Sequence, residues 1–250
     1  MTGCGFTNFK EAGIWPSFCD NCNFNYNNIQ SVSYASILCY VCTNFNIIGN
    51  YVNGVSSSNG PAYNINSPTN TKTNAYGITA TTDGSGHFSQ LGTIASNNVQ
   101  NVPTWECYDT HAGQNITFDS NICLGGRIGF QITTDGISTP PGYVRVVNNY
   151  IQCVPLNQPV YPGGPSISVG GPGIYVAGVP SGSTAPAIKV LNNNIVQCGS
   201  SELGTPAFGA LSVGDAYGFT LTDNTLAIAG STSMATRSGR RAQILSWICR

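Results

Sequence analysis

Charge is what this chain has least of. Only 8% of its 250 residues are charged, nine basic against ten acidic, with two histidines. A nucleic-acid partner would need a basic stripe, and none occurs before residue 237. No run of eighteen apolar residues appears, which excludes a helical membrane span. Helical periodicity is missing too, and no heptad is present to drive a coiled coil. No signal peptide opens the chain. Met1-Thr-Gly-Cys4 begins inside a repeat, as an internal fragment of a longer protein would.

What the chain does have is 41% apolar residues, ample for one core, and a surface carried by Thr, Ser, Asn and 30 glycines. A neutral polar face suits an extracellular or virion-associated protein that meets neutral or uronic sugars.

An eight-residue frame recurs seven times: apolar, any, apolar, any, any, Asn, any, apolar. It is centred on Asn27, Asn50, Asn97, Asn121, Asn149, Asn193 and Asn224, as in Phe45-Asn-Ile47-Ile-Gly-Asn50-Tyr-Val52. The one first-position break is Gly92 in the Asn97 copy. Alternation within the frame marks a short strand, and Asn, which tolerates left-handed backbone, marks a bend. A fixed frame along a chain means a stacked architecture. Two or three strands in roughly 23 residues predict an all-β parallel β-helix, with a ladder of asparagines satisfying the bends. Two spacings, 47 and 44, are near twice the others, so Asn74 and Gly171 are candidate degenerate turns. The expected organisation is a single β-helix over residues 1–228, of about eight to ten coils, then a non-repeat tail or cap over 229–250. Within that tail, residues 240–249 read either as an amphipathic capping helix or as a stretch foreign to the fold.

Ten cysteines include Cys19-x-x-Cys22 and Cys39-x-x-Cys42, a spacing that ordinarily reads as a zinc ribbon. The repeat favours another reading. Cys19 and Cys42 share one phase of successive coils and Cys22 takes an inward apolar place, so stacked core cysteines, free or paired, are expected over zinc.

Ionisable groups concentrate in one place, Trp105-Glu106-Cys-Tyr108-Asp109-Thr-His111. Phase points Tyr108 inward, and alternation turns Asp109 and His111 outward on one face, where they suit proton transfer. Glu106, at odd spacing from Asp109, is expected on the opposite face. Arg127, in the next coil, has the planar fork that binds a carboxylate. His87 lies in a polar Gly-rich stretch that reads as an exposed loop. Residues 155–186, rich in Gly and Pro, read as loops carrying Tyr161 and Tyr175 as sugar-stacking rings. The bland alternative for Asp109 and His111 is a hydrogen-bonded pair that stiffens a turn.

On its repeated frame the chain resembles the right-handed parallel β-helix superfamily of pectate lyases, mannuronan epimerases and phage tailspikes. Tyr108-Asp109-Thr-His111 is similar to the Asp-Pro-His core of mannuronan C5-epimerases, with Thr110 in place of the proline and Ala112 in place of the following acid. The resemblance implies a lyase or epimerase acting on a polysaccharide. His111 would be the base, Asp109 its orienter, Arg127 the carboxylate clamp, and Tyr108 or a water the second acid. Trp105, Glu106, His87 and Tyr175 would line the substrate. The Asp clusters that hold calcium in pectate lyases are not evident, so no cofactor is expected, with a calcium ion as the alternative. Two alternatives stay open: a non-catalytic glycan-binding or structural module, and a tailspike-type glycoside hydrolase. Such tailspikes often form homotrimers.

Overall fold

A computed structural model describes residues 1–56, 75–133, 142–153, 172–177, 188–198, 211–214, 219–227, 243–244 and 248–249. These residues are all-β, with no helix among them, in two sheets of 14 and 8 strands whose named strands pair in parallel. Long parallel ladders of this kind are consistent with a β-helix solenoid.

The eight-stranded sheet stacks the first half of each frame. It runs in chain order from Asn23–Asn25 and Thr43–Ile48 through Gln90–Ala95 and Gln114–Asp119 to Phe219–Thr222 and Gln243–Ile244. The larger sheet holds two columns, joined because the strands Asn98–His111 and Ile122–Thr133 run through both. Equivalent apolar residues stack rung on rung. One column buries Ile29, Val52, Val99, Cys123, Ile151 and Ile195, and another buries Ile14, Ile37, Ile78, Tyr108, Phe130 and Ile174. Full burial of each such side chain contributes about 1.5–3 kcal/mol, which is why the frame keeps its apolar places.

All seven frame asparagines are buried, and each joins the next by two hydrogen bonds. The Asn50 backbone N–H and its Nδ2 both donate to Asn97 Oδ1 at 2.9 Å. The second Nδ2 hydrogen goes to a carbonyl one coil back, as from Asn97 to Ile47 at 2.8 Å. Bends are therefore satisfied as expected, but the left-handed residue is not the asparagine. It is the residue before it: Tyr26, Gly49, Ser96, Ser120, Asn148, Asn192 or Asp223, with φ between 53° and 66°. The asparagine keeps ordinary backbone geometry because its side chain must turn inward to bond.

The two long spacings also need correction. Asn50 bonds directly to Asn97, and Asn149 directly to Asn193. Each long interval is thus one enlarged coil at this corner, not two. Asn74 and Gly171 lie outside the described residues, as do Tyr161 and most of 155–186. Gly92 breaks the frame for a steric reason. It pairs with Phe45, and the Phe45 ring occupies the space where a Gly92 Cβ would stand. Past residue 228, Gln243–Ile244 and Ile248–Cys249 extend both sheets as strands where a helix was one expectation.

The cysteines follow the stacked-core reading. Cys19 pairs with Cys22, Cys107 with Cys123 and Cys153 with Cys198, while Cys39 and Cys42 are buried free thiols.

Candidate functional site

The strand Asn98–His111 carries most of the cluster. Its second half lies between Tyr76–Thr81 and Ile122–Thr133, so that Asp109 pairs with Thr79 on one side and Gln131 on the other. Tyr108 enters the core as phase required. Its ring stacks on Phe130 at 4.7 Å, its hydroxyl donates to the carbonyls of Asn97 and Ile122, and burial pushes the phenol well above its usual pKa. A phenol so held serves the fold and is withdrawn as the second acid.

Asp109 and His111 occupy the opposite face, with His111 Nε2 3.0 Å from Asp109 Oδ2. Thr79 Oγ1 donates to the same Oδ2 at 2.7 Å, which fixes the carboxylate. Asp109 Oδ1 is buried without a hydrogen-bond partner among the described residues. The pair is nevertheless not open to water. Asp109 is fully buried and His111 is 9% exposed. The outward places of the early coils are apolar or aromatic, and they build a second, smaller core of Ala35, Leu38 and Tyr76 flanked by Trp15, Tyr34, Tyr40 and Trp105. Tyr76 meets the His111 ring edge-on at 6.4 Å. Its sequence signal is the set of large side chains Tyr34, Leu38, Tyr40 and Tyr76 beside inward-phase residues, but their assembly into one cluster depends on contacts between coils.

Glu106 is the member misplaced by alternation. Cys107 and Tyr108 both enter the main core, Cys107 tied to Cys123 by the disulfide. Two consecutive inward residues break the period-2 rule, and pairing with the next strand shifts register between Val102 and Glu106. Glu106 therefore joins Asp109 and His111, and donor atoms of all three lie within 4.8 Å of one another. Buried carboxyls are costly to ionise unless they are paired or hydrogen-bonded. Two carboxylates and an imidazole form a donor set suited to a zinc- or manganese-type ion more than to calcium, which prefers oxygen alone.

Arg127 sits in the adjacent strand, its guanidinium carbon 5.5 Å from the centre of the Trp105 ring. Tyr175 pairs with Gln131, which pairs with Asp109, so all three share one row across the coils. His87 stands apart. In the loop between Thr82 and Phe88 its Nδ1 is 2.6 Å from Asp83 Oδ2, and the bond holds the Asp83 carboxyl below its usual pKa.

No protein-family model matches the chain, and no curated protein matches it. Among the described residues, no helix is long and apolar enough to cross a membrane.

Proposed function

We propose that this is a polysaccharide-acting protein of right-handed, pectate-lyase-like β-helix form, working outside the cell or on a virion, that removes a proton next to a uronate carboxylate. The observation that carries the proposal is the convergence of Glu106, Asp109 and His111 within 4.8 Å on the outer face of a parallel sheet. His111 is the base, oriented by Asp109, which Thr79 holds in turn. Arg127, held over Trp105, offers two parallel donors to the substrate carboxylate. Glu106 takes the role first given to Tyr108 and returns a proton to the sugar or to the leaving oxygen. Alginate, pectin and capsule polymers are the substrates to screen, with unsaturated products read by absorbance and C5 inversion by NMR. His111→Ala is expected to lower turnover by at least ~100-fold with the fold intact. Undiminished turnover in that variant removes the proposal.

One observation favours a second reading, a non-catalytic glycan-binding or structural module: Glu106 and Asp109 are both fully buried. Glycan binding by the unaltered protein without any product would select it. Glycoside hydrolysis needs two carboxyls about 5–9.5 Å apart across the bond, and separate Glu106→Gln and Asp109→Asn variants that both retain hydrolysis would rule out this pair.

A further inference from the structure

We propose that Cys19, Cys22, Cys39 and Cys42 form an internal dithiol–disulfide couple, in which the Cys42 thiolate exchanges with the Cys19–Cys22 disulfide one coil away. Three features point to it. Asp20 pairs with Thr43, and the Thr43 N–H donates to the Cys19 carbonyl at 2.8 Å, so Cys42 lies on the rung beside Cys19. The Cys42 thiol also donates to the Pro16 carbonyl at 3.7 Å, in the coil that carries the disulfide.

The second feature is the thiol pair itself. Interaction with the neighbouring Cys39 lowers the Cys42 thiol, while burial raises Cys39. One member is thus prepared to attack and the other to stay protonated until needed. The third feature is strain. Each Cys-x-x-Cys straddles a corner. In the first, Asn21 takes the left-handed conformation (φ 54°), as Asn readily does. In the second, Val41 has φ 56°. A β-branched residue there is a real outlier, and such strain gathers where a segment has two arrangements.

The exchange balances without an external oxidant. Cys42 sulfur attacks Cys19 sulfur, the Cys19–Cys22 bond breaks, and the Cys22 thiolate leaves and takes up the proton Cys42 gave up. Cys39 then attacks Cys42, forming Cys39–Cys42, and Cys19 leaves as a thiolate that takes the Cys39 proton. The dithiol and the disulfide have changed places.

The test is disulfide mapping by acid quench, alkylation and peptide mass spectrometry on protein held in anaerobic buffer near pH 8. In the unaltered chain, the alkyl label is expected to move over time from the Cys39 and Cys42 peptides to the Cys19 and Cys22 peptides. In Cys39→Ser the second step is blocked, and a Cys19–Cys42 disulfide with Cys22 labelled is expected to accumulate. Label fixed on Cys39 and Cys42 in the unaltered protein, with only Cys19–Cys22 bonded, overturns the proposal. So does stoichiometric zinc released on alkylation of all four cysteines.

Discussion

Asn97 shows how much one side chain holds in this protein. Its Oδ1 accepts from the Asn50 backbone and amide, and its Nδ2 donates to the Ile47 carbonyl and to Asn121 Oδ1. Truncation orphans several buried groups at once, each costing about 1–3 kcal/mol. Asn97→Ala should therefore destabilise by about 3 kcal/mol or more, read from the urea midpoint at unchanged slope. The Asp83–His87 pair makes a different residue-scale prediction. The Asp83 carboxyl is depressed mainly by the His87 ring, with the Ser85 N–H adding to it. Its contribution is thus complete above about pH 4, the ordinary Asp value, and is lost as pH falls through the lower folded value. An NMR titration should find the Asp83 midpoint below that of an ordinary Asp, and His87→Ala should move it up. An Asp83 midpoint unchanged by that substitution would show that the ring is not the cause.

At the scale of the element, the bend Glu106-Cys107-Tyr108-Asp109 matters most. It puts two consecutive residues into the core and so brings Glu106 to the face of Asp109. The Cys107–Cys123 disulfide, with a sequence separation of 16, anchors this bend. Closing a loop of that size stabilises by about 3 kcal/mol in the chain-entropy model. The double variant Cys107→Ala, Cys123→Ala should lose about that much in thermal or denaturant unfolding. If the proposed function holds, its activity should fall further than stability alone explains. Gly77 limits the same element from the neighbouring coil. A Cβ there would collide with the Cys107 carbonyl, so the strand Tyr76–Thr81 can approach the bend only with glycine at that place.

At the scale of the whole molecule, nearly every pairing is non-local. Successive frame asparagines bond across 23 to 47 residues, and strands follow the same intervals. Chain closure must precede each such contact, so folding is expected to be slow, in milliseconds to seconds or longer. Stopped-flow refolding from urea checks this, and a microsecond phase carrying the full amplitude would contradict it. Net charge is −1 at pH 7, which offers little repulsion between copies and makes association a practical concern near the pI of about 6.0.

By itself the sequence determined the stacking. Asn27 through Asn224 and the apolar places around them recur at fixed offsets, and only a parallel, one-coil-per-repeat arrangement lets amides and apolar side chains meet their own kind on every rung. The same offsets placed Tyr108 inside and Asp109 with His111 on the other face. Only the tertiary structure decided what lies over that face and what joins it. The aromatic roof assembles from separate coils, and Glu106 arrives through a local break in alternation imposed by a disulfide to another strand. Both depend on contacts between distant segments, which period-2 and repeat rules cannot encode because those rules describe one strand at a time.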